Sequence, residues 1–404
     1  VSGGVRRSAE LSLSDLDDEK MRHAKSGAFF NTHSERFLAN NSAVYDEKPG
    51  QIEFMREWLA LAESGTGERG IFNRGSLKYQ LPERRLRALD GWMDKLGVNP
   101  CGEIILRPHQ FCNLSEVVAR PNDTPETLKE KIRLATLIGT YQSMLTDFPF
   151  LSKEWKENCE EERLLGVSIT GIMDNPILQN PALLRELKEY AISVNRYYAE
   201  IFGINPSTAV TCVKPSGTVS QMVNSSSGNH ARWSELYRRH IRISGSEPLF
   251  QMMKDQKYPY YPENGQTMAN ASTYVLPFAV ESPKGSVFRK DLTAIDQLEN
   301  WRRLKEHYTE HNPSASIYVS DDEWFEAGNW VYQNWDSVGG LAFFPKNDHL
   351  YSLAPFEELT SKQYHEMRAK LPQIDYSQIL NYEREDQTIG AREYACVGGK
   401  CEIN

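Results

Sequence analysis

The sequence is poor in cysteine, with six among 404 residues, and it has no apolar run of the roughly 18 residues that a membrane helix needs. So few cysteines exclude the dense disulfide framework of small secreted proteins, and a reducing cytoplasm fits this composition best. The formal net charge is −9 and no Lys/Arg run forms a basic stripe, which argues against a nucleic acid polymer as partner. A single nucleotide needs only a local positive pocket and is not excluded.

What the sequence does contain is enough apolar and aromatic material, 40% and 11%, for the large core of an enzyme-sized protein. Helical and strand-like segments alternate, which predicts an α/β fold with a mostly parallel sheet covered by helices. From about residue 372 the chain turns polar, as in a mobile tether. Because residue 1 is not Met, we expect a truncated or split chain. The predicted helices are 124–146, 183–202 and 292–308, and the predicted strands are 166–170, 209–213, 314–319 and 340–344.

Two pairs of cysteines stand out by their placement: Cys101 with Cys112, and Cys396 with Cys401 three residues from the end. A dithiol on a terminal segment can enter a buried site and leave again, which favours electron transfer by thiol–disulfide exchange. A zinc knuckle is the alternative, but it needs two further ligands, and the last 30 residues hold no His and no other Cys. Of the other two cysteines, we expect Cys212 in the core and Cys159 as a free thiol.

The loop Asn99-Pro-Cys-Gly-Glu103 carries a thiol and a carboxyl group side by side. Pro100 and Gly102 favour a tight loop with Cys101 at its tip. A carboxylate raises the pKa of a neighbouring thiol, so this cysteine is better suited to losing a hydrogen atom than a proton. The alternative is an ordinary turn that places a buried cysteine beside a surface glutamate.

A third segment follows the predicted strand 209–213 and is rich in hydroxyl groups and, we expect, in free backbone N–H groups. Such a segment can hold a phosphate group, although an ordinary turn has the same sequence. Downstream, His230 is expected to be a hydrogen-bonded structural histidine. The residues of the candidate phosphate segment are Pro215, Ser216, Gly217, Thr218, Val219 and Ser220.

Together these motifs resemble those of ribonucleotide reductases, and most closely the monomeric, adenosylcobalamin-dependent class II enzymes that reduce ribonucleoside triphosphates. The resemblance covers essentially the whole chain but corresponds to only the C-terminal part of a family member. Further blocks that carry it are Ser2-Gly-Gly-Val-Arg-Arg-Ser-Ala9, Asn40-Asn-Ser42, Gly70-Ile-Phe-Asn-Arg74, Gly171-Ile-Met-Asp174 and Lys214-Pro-Ser-Gly-Thr-Val-Ser220.

The resemblance implies a role for each residue of the loop. Cys101 would be the thiyl radical that abstracts the ribose 3′ hydrogen, Glu103 the base on the 3′ hydroxyl, and Asn99 a hydrogen-bond partner of the sugar hydroxyls. Cys112 would be one half of the redox pair. In members of the family, the other cysteine of the pair lies on an earlier strand, which this chain does not contain. We therefore expect a missing or separate N-terminal half.

The resemblance also assigns the remaining segments. Cys396 and Cys401 would reduce the active-site disulfide and then be reduced by a thioredoxin-like protein. The phosphate segment would bind the substrate. The opening segment would be a specificity loop that relays a deoxynucleotide effector to the substrate base, or else a solvated basic turn. Its residues are Gly3, Gly4, Val5, Arg6 and Arg7.

Among the cofactor systems of this superfamily, adenosylcobalamin fits best. The chain lacks the C-terminal glycyl-radical motif, and its adjacent tyrosines lack the context of a radical relay from a diiron subunit. The Asp-x-His-x-x-Gly signature of a histidine ligand to cobalt is also absent. We therefore expect the corrin to bind without a protein histidine, against segments 234–283 and 350–387.

The sequence thus predicts the later portion of the ten-stranded reductase α/β barrel with a central finger loop, formed by residues 1–375, and a flexible redox tail, 376–404. The predicted activity is reduction of ribonucleotides to 2′-deoxyribonucleotides, and the resemblance implies ribonucleoside triphosphates as the substrates. Two alternatives stay open. One is a nonradical thiol–disulfide oxidoreductase, and the other is a noncatalytic nucleotide-binding half that needs a complementing chain.

Overall fold

The computed structural model describes residues 10–27, 29–33, 36, 39–217, 219–264, 266–346, 353 and 356–383. The predicted specificity loop, Thr218 and both tail cysteines lie outside the described residues. Within them, no helix combines the length and the apolar character needed to cross a bilayer.

Strands and helices alternate along most of the chain. The strands are β1 Glu10–Ser14, β2 Ala39–Tyr45, β3 Gly70–Asn73, β4 Gly97–Val98, β5 Ile105–Leu106, β6 Asn113–Val118, β7 Leu165–Thr170, β8 Leu236–Ser244, β9 Tyr261–Pro262, β10 Thr273–Glu281, β11 Ser316–Val319, β12 Gly340–Pro345 and β13 Phe356–Glu358. The helices are α1 Glu19–Arg22, α2 Phe29–Thr32, α3 Gln51–Glu63, α4 Leu77–Gln80, α5 Glu83–Ala88, α6 Pro125–Gln142, α7 Lys153–Glu162, α8 Pro181–Phe202, α9 Val219–Met222, α10 Pro248–Asp255, α11 Ala294–His307, α12 Trp324–Gln333 and α13 Ser361–Lys370.

The largest sheet has the order β1-β2-β3-β12-β11. Its neighbouring strands are parallel except where β12 meets β3. Segment 209–213, predicted as a strand, is extended but joins its neighbours only through single parallel bridges, from Val213 to Pro313 ahead of β11 and from Thr211 to Val167 on β7. Because β7 in turn pairs in parallel with β6, the strands form one continuous series from β1 to β6, which we call the arc.

Helices cover the outside of this arc, as the hydrophobic pattern predicts. In α6, the Thr124 hydroxyl caps the first turn and Pro125 occupies the first helical position. In α8, the helix ends at Gly203, which adopts the left-handed conformation that glycine tolerates best. Both helices pack on β6 and β7 around a common apolar core. A second core, with Trp301 and Trp335 at its centre, lies under α3, α11 and α12.

A smaller antiparallel sheet of order β13-β8-β10-β9 follows the arc. Its apolar face packs on α10, where Phe250 is buried. A 3₁₀-helix at Tyr376–Asn381 joins the same cluster through Ile379, and the Tyr382 hydroxyl donates to Asp255 at 2.9 Å. The described chain thus stays packed to residue 383, within the segment predicted as the start of the tail.

Candidate active site

Cys101 lies at the tip of a short hairpin formed by β4 and β5. Asn99 closes the loop, because its backbone N–H donates to the carbonyl oxygen of Ile104 at 3.1 Å and its Oδ1 accepts from the N–H of Ile104 at 2.9 Å. Gly102 has φ +75°, a left-handed conformation that a residue with a Cβ rarely adopts. The local sequence therefore builds a tight loop that holds thiol and carboxyl group on one hairpin.

Side chains from two separate parts of the sheet hold this tip. From β2, Asn40 Nδ2 donates at 2.9 Å to the carbonyl oxygen just before Cys101. From the chain that precedes β11, Ser314 Oγ donates to the carbonyl oxygen of Cys101 at 2.6 Å, and Asn312 Nδ2 donates to that of Gly102 at 3.2 Å. These three hydrogen bonds fix the backbone of the loop, and sequence reasoning missed all three donors, since they lie far away along the chain.

Cys101 lines a cavity of about 180 Å³ together with Asn40, Ser314 and Pro215. The tip of the hairpin and the start of the candidate phosphate segment therefore line the same cavity. A second cavity, of about 280 Å³, adjoins the first and shares Pro215 and Ser316 with it.

Glu103 is fully buried beneath the tip. Its Oε1 accepts a hydrogen bond from Lys214 Nζ at 2.9 Å, whereas its Oε2 is buried without a hydrogen-bond partner among the described residues. Lys214 immediately precedes the candidate phosphate segment, and its side chain is 20% exposed. The sequence motif that contains this lysine was noted, but nothing in its spacing signals a contact with a residue 111 positions away.

A second acid, Glu116 on β6, lies on the other side of the same segment. Ser216 Oγ donates to Glu116 Oε2 at 2.9 Å. Burial raises the pKa of Glu116, although the Ser216 hydrogen bond and the positive charge of Lys214 oppose the shift. The site therefore contains two carboxyl groups around one lysine, of which the sequence indicated only Glu103.

The rest of the phosphate segment differs in exposure. Val219 begins α9, a single helical turn, and Ser220 is buried with its hydroxyl 2.6 Å from that of Ser227. Ser216 has φ +54°, which is uncommon for a residue other than glycine. Of the hydroxyl groups predicted here, that of Ser216 faces the acid and that of Ser220 faces the protein interior.

Cys112 precedes β6 and is partly buried. Burial raises its pKa, while the charge of the fully buried Arg85 opposes the shift. Cys212 is buried in the sheet, in agreement with the core position predicted for it. Cys159 is also buried, in α7, where its Sγ accepts from the N–H of Phe111 at 3.4 Å. None of the described cysteines forms a disulfide.

His230 is held through both ring nitrogens. Its Nε2 accepts from the backbone N–H of Ser316 at 3.0 Å, so the proton lies on Nδ1, which donates to the carbonyl oxygen of Ser227 at 2.9 Å. Burial lowers its pKa, which favours the neutral ring. This geometry matches the structural role predicted for this residue.

The second cavity lies between β11 and the smaller sheet. Along its wall the rings of Phe356 and Trp233 stack with centroids 5.2 Å apart, and the Arg289 guanidinium lies over Trp233 at 4.5 Å and over Tyr318 at 4.2 Å. The amide group of Asn229 also lines this cavity, and neither of its polar atoms has a hydrogen-bond partner among the described residues. Such a wall suits a large, planar, polar ligand. No group of three or more potential metal-binding side chains occurs in the described part of the chain.

No family model matches the chain. Its whole length is 26% identical to an adenosylcobalamin-dependent ribonucleoside-triphosphate reductase of Lactobacillus acidophilus, of which it covers 57%. It is 24% identical, over 94% of its length, to a probable enzyme of the same name from Dictyostelium discoideum, of which it covers 50%. The chain thus spans little more than half the length of these relatives.

Solved structures agree with this relationship. A B12-dependent class II ribonucleotide reductase superimposes with a TM-score of 0.75 at 21% identity, covering 94% of this chain and 56% of the other. The alpha subunit of a class Id reductase from Actinobacillus ureae gives a TM-score of 0.53 at 13% identity, covering 83% and 70%. These superpositions confirm the α/β fold, and the similarity of the whole chain to adenosylcobalamin-dependent ribonucleoside-triphosphate reductases confirms the resemblance inferred from the motifs.

Proposed function

We propose that this chain carries the radical and substrate-binding residues of a ribonucleotide reductase that converts ribonucleoside triphosphates to 2′-deoxyribonucleotides. The observation that carries the proposal is the hairpin itself, which presents Cys101 to a cavity and holds the buried carboxyl group of Glu103 two residues away. The cavity also reaches Pro215, at the start of the candidate phosphate segment.

In the proposed reaction, the Cys101 sulfur, as a thiyl radical, takes the hydrogen atom from C3′ and becomes a thiol. Glu103 accepts the proton of the 3′ hydroxyl while the C2′–O bond breaks and water leaves. Asn99 Nδ2 donates to a sugar hydroxyl, because its Oδ1 already accepts within the loop. A dithiol that includes Cys112 supplies two electrons and two protons, one of which goes to the departing 2′ hydroxyl so that it leaves as water. Glu103 then returns its proton to the 3′ oxygen, and the Cys101 thiol returns its hydrogen atom to C3′, which restores the thiyl radical.

Adenosylcobalamin, when bound, supplies the homolytic bond cleavage that oxidises the thiol to a radical. A cavity of about 280 Å³ is too small for the whole of such a group, so it would hold one part of it, against the stacked rings of Trp233 and Phe356 and the unpartnered amide of Asn229. The segments expected to contact the corrin, 234–283 and 350–387, contain β8, β10 and β13 of the smaller sheet. His230 has both nitrogens engaged, which accords with cobalt binding without a protein histidine.

We further propose that the arc is the later portion of a ten-stranded barrel and that the β4–β5 hairpin is its central finger loop. Among the described residues, β1 pairs only with β2 and β6 only with β7 as named strands. Their outer edges therefore offer hydrogen-bonding groups to further strands. A strand beside β6 would also place a second thiol near Cys112. An N-terminal half, in the same or a separate polypeptide, would provide both the additional strands and the second thiol.

The remaining assignments complete this proposal. Residues 1–375 form the catalytic portion, in which Gly3 to Arg7 respond to a deoxynucleotide effector. Residues 376–404 form the tail, in which Cys396 and Cys401 reduce the Cys112 disulfide and are themselves reduced by a thioredoxin-like protein. The enzyme would act in the cytoplasm, where thiols are kept reduced.

The test is reduction of CTP or ATP by the chain with adenosylcobalamin and a small dithiol, with and without the polypeptide encoded upstream of codon 1. Cys101→Ala should abolish the deoxynucleotide product, whereas Cys159→Ala, a matched change of a cysteine outside the site, should retain it. Cys396→Ser should spare turnover driven by small dithiols.

Each alternative gives a different result. A nonradical oxidoreductase would keep dithiol turnover in Cys101→Ser and would not depend on cobalamin. A noncatalytic half would bind nucleoside triphosphates but give no product with any upstream partner. Either result would contradict the proposal.

A further inference from the structure

The Ser216 hydroxyl group of the candidate phosphate segment is buried and is already engaged by an acid. Ser216 Oγ donates to Glu116 Oε2 at 2.9 Å, and Glu116 Oε1 is buried without a hydrogen-bond partner among the described residues. The left-handed backbone of Ser216, with φ +54°, persists only where the surroundings hold it. This hydrogen bond connects Ser216 to β6.

We propose that Glu116 is a proton-linked gate, so that an anionic phosphate takes the Ser216 hydroxyl only as the Glu116 carboxyl group gains a proton. This inference rests on the proposed function, because it takes Pro215, Ser216 and Gly217 as part of the phosphate site. An ionised carboxylate that loses its serine partner is left buried and unsolvated beside another anion, whereas a neutral carboxylic acid avoids both penalties.

The charges around the gate support this coupling. Lys214 Nζ is hydrogen-bonded to Glu103, so one lysine is shared between two acids on different elements, the hairpin and β6. With both acids ionised this group of three carries a net charge of −1, which repels phosphate. Protonation of Glu116 brings it to zero and leaves the Lys214–Glu103 pair intact.

Among the described residues, two thiols also interact with this cluster. Cys112 precedes β6, and Cys212 lies on segment 209–213, where the charges of Glu103 and Glu116 both contribute to the raised pKa of its thiol. Burial keeps both thiols protonated at neutral pH. Glu116 is thus the group in the cluster whose charge a phosphate would change, because its pKa is already raised before the Ser216 hydrogen bond is lost.

Coupling of this kind is reciprocal: if protonation favours phosphate binding, phosphate binding takes up protons. We therefore propose to titrate the 404-residue chain with inorganic tripolyphosphate by calorimetry at pH 6, 7 and 8, in buffers of different ionisation enthalpy. The wild type should take up more protons than Glu116→Gln, by up to one per bound tripolyphosphate. Its affinity should also fall more steeply with pH, by up to about tenfold more per pH unit.

Two variants make the comparison specific. Glu130→Gln removes the same charge from an exposed pair with Arg133 on α6, and it should behave as the wild type does. Ser216→Ala removes the hydroxyl group, so Glu116 is already without its donor before tripolyphosphate arrives. This variant should take up fewer protons than the wild type, and it tests the gate even if Glu116→Gln does not fold.

The outcomes separate the gate from the phosphate site. Equal proton uptake by the wild type, Glu116→Gln and Ser216→Ala would overturn the gate while leaving the phosphate assignment in place. Failure of the wild type to bind tripolyphosphate at any of the three pH values would overturn both. Neither result bears on the radical chemistry, which the Cys101→Ala assay tests separately.

Discussion

The ion pair between Lys214 and Glu103 allows a quantitative test of how the site is held together. Lys214→Met keeps the length of the aliphatic stem but removes the donor to a fully buried carboxyl group whose other oxygen already lacks a partner. Breaking a buried ion pair by removing one partner destabilises a protein by about 3–5 kcal/mol, because an uncompensated charge remains.

The loss of stability in Lys214→Met is limited, because Glu103 can take up a proton instead of staying charged. A carboxyl group that titrates near pH 4.3 in the unfolded chain costs about 3.7 kcal/mol to protonate at pH 7 and about 1.6 kcal/mol at pH 5.5. We therefore expect Lys214→Met to lower the free energy of unfolding by about 3.5 kcal/mol at pH 7 and by less than half as much at pH 5.5.

Urea unfolding followed by tryptophan fluorescence at the two pH values measures this difference. The double variant Glu103→Gln/Lys214→Met should recover most of the loss, because no charge is left buried. As a matched control, Lys129→Met breaks an exposed pair with Glu186 and should leave the free energy of unfolding nearly unchanged. A loss that is equal at both pH values, or a double variant no more stable than Lys214→Met, would refute the reasoning.

Two further predictions concern buried positions on α11 and α12. Burial lowers the pKa of Lys305, whose Nζ donates to the carbonyl oxygen of His311, to about 7. Above pH 7 the unfolded chain binds a proton at Lys305 that the folded protein does not bind. The free energy of unfolding of the wild type should therefore rise, relative to that of Lys305→Met, by up to about 1.4 kcal/mol per pH unit between pH 7.5 and 9.5 in urea titrations. A difference that stays constant over this range would contradict the prediction. Gly328→Ala should lower the free energy of unfolding by about 1–3 kcal/mol, because the added Cβ would lie 2.6 Å from Trp58 Nε1. Thermal unfolding measures this loss, and Gly50→Ala, whose added Cβ meets no atom within 4 Å, serves as the control.

Local signals in the sequence were sufficient to predict several elements. The apolar period and the glycine after it predicted α8, which ends at Gly203 as expected. A short β-branched run bounded by glycine predicted β7 to within one residue. Pro100 and Gly102 predicted the tight loop around Cys101. In each case the deciding interactions connect residues close together along the chain.

The electrostatics of the site were not predictable in this way. Glu116 meets Ser216 across 100 positions, and this contact depends on how β6 and segment 209–213 flank β7. The same segment was predicted as a regular strand, but its residues alternate between bonds to β7 and to the chain ahead of β11, so only single bridges form. The motifs indicated which residues have side chains suited to catalysis or binding. The pairing of the strands determines which of these side chains contact one another.

The three hydrogen bonds at the hairpin tip have a mechanical consequence. Asn40 belongs to β2, whereas Asn312 and Ser314 precede β11, and β3 and β12 separate these two attachment points in the sheet. Any change in the curvature of the sheet therefore alters the spacing between the donors and displaces the sulfur of Cys101 with them. A protein or ligand that bends the sheet at a distance would thus adjust the reach of this sulfur without touching it.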